Sequence, residues 1–120
     1  MNNIEYKLSK LSQSKFRSKF HLSEKDKQYV RDKGIDVIRK HAEDFVNKKL
    51  KVKLKNDGKQ TPFKGHPVFI TQHATATCCR ECLYKWHQIN PNIDLDNNLI
   101  IYVVNVIMTF IENEMKNNNK

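Results

Sequence analysis

The sequence predicts a mainly α protein: a small single-domain helical bundle of four to five helices with a long central loop. Apolar residues recur at spacings of three and four in several stretches, and all three glycines and all three prolines fall between those stretches. The 120 residues (14.2 kDa, 38% apolar) leave room for one core and no second domain.

Ile4, Leu8 and Leu11 define a short first helix over 4–12, followed by a polar, basic stretch around Phe16 and Phe20. Ser23 with Asp26 at capping spacing opens a helix that runs through 27–33 and stops at Gly34. Ile35, Ile38, Ala42, Phe45, Val46 and Leu50 then form one face of an amphipathic helix, while Arg39, Lys40, Glu43, Asp44 and Lys48 occupy its other faces. Asn56-Asp57-Gly58 and Thr61-Pro62 make 55–65 a turn-rich loop.

Beyond Pro67, Cys79, Cys82, Leu83 and Trp86 fall within about 100° of one another on a helical wheel, which predicts a helix over 75–88. The β-branched run Ile100-Ile101-Tyr102-Val103-Val104 would suit a strand, but the apolar pattern continues through Ile107 and Ile111 to Met115, too long for one. A buried C-terminal helix capped by Asp94 or Asp96 is expected instead. The expected core comprises Ile35, Ile38, Phe45, Leu83, Trp86, Val103, Val104, Ile107 and Ile111, with residues 55–74 laid over one end and frayed tails at 1–3 and 116–120.

The first residues lack a secretory h-region, and no uncharged apolar stretch reaches the ~18 residues a membrane span needs, so a cytoplasmic protein without membrane contact is expected. Three crowded cysteines make a poor disulfide framework and read better as reduced thiols or metal ligands.

Charge is uneven. Residues 1–64 carry eighteen Lys+Arg against eight Asp+Glu, and residues 65–120 carry four against five. Basic side chains beside aromatics suit phosphate contact with base stacking, which makes Lys15, Arg17, Lys19 and Arg31 candidates for binding nucleic acid or another polyanion. An ordinary charged surface explains the same pattern. Lys59, in the Asn56-Asp57-Gly58-Lys59 turn, is a candidate anion contact without Walker spacing.

Chemistry concentrates in 66–87, which holds every cysteine and three of the five histidines. Cys79-x2-Cys82-x4-His87 copies the first three ligands of a zinc knuckle, but Asn92 stands where the fourth belongs, leaving His73 or His66 as substitutes. In a regular helix Cys82 and His87 also diverge by about 140°, so zinc would require a break between them. Small core thiols are the alternative. Cys78 lies off the Cys79/Trp86 stripe; with Thr75 or Thr77 as helix cap it would occupy the first turn as a nucleophile. His73 would then act as its base, with Arg80, Gln72, Thr75 and Thr77 around a small pocket.

The strings Lys15-Phe16-Arg17-Ser18-Lys19-Phe20-His21-Leu22, Asn56-Asp57-Gly58-Lys59-Gln60-Thr61-Pro62, Gly65-His66-Pro67-Val68-Phe69 and Gln72-His73-Ala74-Thr75-Ala76-Thr77-Cys78-Cys79-Arg80 resemble the uncharacterised bacterial and archaeal family DUF4186, over nearly the whole chain. The resemblance implies a functional pocket formed by the central loop and the following helix, and no activity, cofactor or partner. The expected function is therefore a small basic binding module, for nucleic acid or another polyanion, whose 66–87 segment forms a pocket or a zinc site. The alternative is an enzyme using Cys78 or His73.

Overall fold

A computed structural model describes residues 3–116, and every regular element among them is helical. Six α-helices follow in order: α1 (Asn3–Leu11), α2 (Glu24–Lys33), α3 (Ile35–Lys49), α4 (Pro67–Ala74), α5 (Arg80–His87) and α6 (Asn97–Lys116); a 3-10 turn at Arg17–Lys19 lies between α1 and α2. The class matches the sequence reading, with one helix more. Of the tails expected to fray, 1–2 and 117–120 lie outside the described residues, whereas Asn3 and Lys116 are the end residues of α1 and α6.

The boundaries have local causes. Ser23 Oγ accepts from the Asp26 N–H at 3.1 Å and Asp26 Oδ2 accepts from the Ser23 N–H at 3.1 Å, the reciprocal cap that starts α2. Gly34, at φ 89°, ends α2 and starts α3, a backbone conformation that L side chains rarely adopt. The Asp96 carboxylate accepts from the Leu99 N–H at 2.8 Å, so Asp96 rather than Asp94 caps α6.

Helix α3 lies along α6, and Ile38, Ala42, Val46 and Leu50 close against Val103, Val104, Ile107 and Ile111 in one apolar cluster that also takes in Val68 and Leu83. Fully burying each large aliphatic side chain contributes roughly 1.5–3 kcal/mol. No helix among the described residues is long and apolar enough to cross a membrane.

Two expectations need correction. The central loop is shorter than 55–74, because Pro67–Ala74 is helix α4: His66 caps it, Pro67 fills the first position where an N–H would lack a partner anyway, and most of its residues are buried. Its buried residues include the polar Thr71, Gln72 and His73 while Phe69 and Ile70 are only partly buried, so burial follows no amphipathic period. The helix expected over 75–88 begins only at Arg80, and its inner stripe is Arg80, Leu83 and His87, leaving Trp86 partly exposed instead of in the core. Two polar residues on the buried face hide that stripe from a hydrophobicity pattern.

A candidate thiol metal centre

The turn between α4 and α5 sets the site. Thr71 to Arg80 is buried without interruption. Helix α4 ends with Ala76 in the left-handed region (φ 58°), and the Thr77 N–H returns to the Gln72 carbonyl at 2.8 Å. Gln72 Nε2 donates to the Thr77 carbonyl at 3.0 Å, and Thr75 Oγ1 donates to the Thr71 carbonyl at 2.8 Å and meets Thr77 Oγ1 at 3.0 Å. The threonines and Gln72 thus satisfy the tight turn and one another; neither threonine caps α5.

The N-terminus of α5 is capped from a distance. Asp57 accepts from the Arg80 N–H (3.0 Å) and the Glu81 N–H (3.2 Å), placing a carboxylate at the positive end of the helix. Cys79 occupies the cap position, its thiol turned to Cys82 of the same helix, and Cys78 precedes it, outside the first turn expected for it. Arg80, fully buried, donates to four main-chain carbonyls: Leu50 (3.2 Å) and Lys51 (3.1 Å) at the end of α3, and Asn90 (2.8 Å) and Ile93 (2.7 Å) in the segment before α6. Its guanidinium ties elements together and is not available as a pocket anion contact. Lys59 is exposed on the Asp57 turn.

With α5 started in this way, three sulfurs converge. Cys82 Sγ lies 3.2 Å from Cys79 Sγ and 3.6 Å from Cys78 Sγ, and all three ligand atoms lie within 4.8 Å of one another. Arg17, from the 3-10 turn, donates through Nη2 to Cys82 Sγ at 3.1 Å, through Nη1 to Cys78 Sγ at 3.6 Å, and through Nη1 to the His73 carbonyl at 2.8 Å. Thr61 Oγ1 donates to the Cys78 carbonyl at 2.7 Å.

These contacts divide the thiols. The Cys78 and Cys79 thiols and the Arg17 guanidinium all point hydrogen-bonding and charge stabilisation at Cys82, holding it far below an ordinary thiol pKa despite burial. Cys78 is pushed up by its contacts with Cys79 and Cys82 and by burial. Arg17 loses to burial but gains more from the two cysteines, so its own pKa rises. Cys82 alone of the three reaches solvent appreciably, at a groove lined by Arg17, Glu81, Tyr84, Lys85 and Trp86.

No histidine nitrogen joins the sulfur cluster among the described residues. His73 donates from Nε2 to the Thr61 and Pro62 carbonyls (3.0 and 3.1 Å), and its ring stacks on Phe63 and packs against Phe20, which also stack on each other; burial lowers its pKa. His87 links the Thr75 carbonyl through Nε2 and the Tyr102 hydroxyl through Nδ1, each at 2.8 Å, pinning α5 to the turn and to α6. His66 accepts the Val68 N–H at Nδ1 (3.0 Å), so its Nε2 carries the proton donated to His41 Nδ1 at 3.0 Å. Burial first, then His41, lowers His66 to about 4.

The cluster therefore brings together Cys78, Cys79 and Cys82, leaves out His66, His73 and His87, and adds Arg17. Sequence reasoning assigned Arg17 to a polyanion surface beside Lys15, Lys19 and Arg31; those three are exposed, whereas Arg17 is half-buried on the thiols. The sequence places Asp57 only in a turn. Its position inside a string shared with a family was the one signal for it, and nothing local linked it to a helix 23 residues away.

A family model described as a domain of unknown function (DUF4186) matches residues 5–112. No solved structure matches the chain.

Proposed function

Because the chain belongs to the DUF4186 family, which carries no assigned activity, we propose a function from the site itself: the protein is a metal-binding module whose Cys78, Cys79 and Cys82 hold one thiophilic ion, zinc being the ion best suited to them. The observation that carries this reading is the spacing of the sulfurs. A tetrahedral zinc site with Zn–S bonds of about 2.3 Å has S···S edges of about 3.8 Å, and the two shorter distances here, 3.2 and 3.6 Å, need only small side-chain adjustments to reach it.

Charge supports the same reading. Three thiolates around a divalent cation leave one excess negative charge, and Arg17 supplies a positive charge and N–H donors directly to the sulfurs. Three cysteines fill three of four tetrahedral positions, and Cys82 borders an open groove from which a fourth ligand can enter.

The test is elemental analysis of untagged protein, followed by cobalt(II) titration of the metal-free form. One zinc per chain and intense sulfur-to-cobalt absorption, abolished in Cys82→Ser, are expected. Protein that retains no metal and shows no such absorption overturns the reading.

A further inference from the structure

We propose that the same cluster is a peroxide-responsive dithiol: a hydroperoxide oxidises Cys82, and Cys79 closes an intramolecular disulfide with it. This deepens the metal reading by giving the site a means of releasing its ion, and the release alone rests on that reading. The dithiol chemistry stands on the geometry of the metal-free chain.

Cys82 is the sulfur that meets the solvent groove, and Arg17 Nη2 donates to it at 3.1 Å. Cys78 and Cys79 are buried behind it. An oxidant entering from solvent therefore meets Cys82 first, with a guanidinium at hand to stabilise the oxygen that departs. Cys79 Sγ is the nearer partner at 3.2 Å, against 3.6 Å for Cys78, and a disulfide needs the sulfurs to close to about 2.0 Å. Cys79 is also the cap residue of α5, and the helix start it adjoins is held independently by Asp57 at the Arg80 and Glu81 N–H groups.

The chemistry balances with the hydroperoxide as sole oxidant. Cys82 Sγ attacks the outer peroxide oxygen as the thiolate, the O–O bond breaks, and the leaving oxygen takes a proton from solvent in place of the one Cys82 has released, giving a sulfenic acid and an alcohol, or water from hydrogen peroxide. Cys79 Sγ then attacks the sulfenic sulfur; the S–O bond breaks, the S–S bond forms, and the hydroxyl leaves as water with the Cys79 proton. Two electrons pass from two thiols to one peroxide, and Cys78 remains a thiol. Two of three ligands are lost, so a bound ion departs.

The experiment treats reduced, metal-free, full-length protein with hydrogen peroxide and follows thiol count and intact mass, then repeats this on zinc-loaded protein with a zinc indicator. The expected result is loss of two thiols and two hydrogens per chain. The disulfide persists in Cys78→Ser, and Cys79→Ser instead traps a dimedone-reactive sulfenic acid. Cys82→Ser consumes peroxide at least about tenfold more slowly. A wild-type chain that keeps three thiols or gains oxygen without a disulfide overturns the proposal, as does a disulfide that survives in Cys79→Ser and is lost in Cys78→Ser. The wild-type mass needs no variant to fold. If the metal-free chain forms the disulfide but never binds zinc, the metal reading fails and the dithiol stands; zinc binding without a disulfide gives the reverse.

Discussion

Arg17 and Cys82 lie 65 positions apart in the chain and meet through an Nη2–H···Sγ hydrogen bond of 3.1 Å. The contact turns a basic residue of the N-terminal half into the partner of a thiol, and it locates a positive charge where any bound soft metal would leave negative charge in excess.

Replacing Arg17 by Met keeps much of its apolar stem and removes the donors. With that support gone and the thiols of Cys78 and Cys79 still present, the Cys82 pKa rises, so the acid-side midpoint of its alkylation profile moves to higher pH. Alkylation rate against pH, read by mass at Cys82, checks this; an unchanged profile would show that the guanidinium does not tune the thiol. The His73 carbonyl also loses its donor, at a cost of roughly 1–3 kcal/mol in stability.

Arg80 is expected to be the costliest polar substitution. Arg80→Met buries an apolar chain of similar length but strands four carbonyls that now share the guanidinium, and a loss of about 3–5 kcal/mol follows. Arg80→Lys recovers only part of this, since an ammonium has three donors and no planar fork. Urea midpoints of the two variants against wild type provide the measurement.

Asp57→Ala removes the carboxylate from two N–H groups of α5 and from Gln60, whose Nε2 it accepts at 3.0 Å. A loss of about 1–2 kcal/mol is expected from the cap. Because α5 carries Cys82 and is capped at Cys79, the same variant is expected to hold metal less tightly. Thermal unfolding with and without zinc separates the two effects.

His66 predicts an acid dependence. Its folded pKa, about 4, lies below the unfolded value of 6.5, so the neutral ring contributes stability that is fully present above pH 6.5 and lost as pH falls through 6.5 toward 4. His73 and His87, also lowered chiefly by burial, act in the same direction. His66→Asn keeps a cap acceptor for Val68 and removes one titration. Its unfolding midpoint, measured in chelator, is expected to fall less steeply with acid than that of wild type, and equal slopes would contradict the assignment.

Local signals sufficed where a residue's role depended on its neighbours in the chain. The Ser23–Asp26 cap, the break at Gly34, the apolar face of α3 and the helical nature of 97–116 all follow from spacing and backbone chemistry, and the structure reproduces them. The crowding of three thiols is likewise legible, because residues 78, 79 and 82 stay close in almost any turn or helix. Tertiary structure decided the rest. Helix α4 is buried on nearly all sides and shows no period, and the inner face of α5 is written in Arg80 and His87, polar residues whose burial makes sense only once distant carbonyls and Tyr102 reach them. The histidines were drawn to the cysteines by type and spacing, yet each is claimed by a carbonyl, a hydroxyl or another ring. Sequence by itself determined which atoms are close along the chain; the partners of buried polar groups, and with them the site's charge and its open side, were fixed only by long-range packing, because a buried donor takes whichever acceptor the fold brings to it.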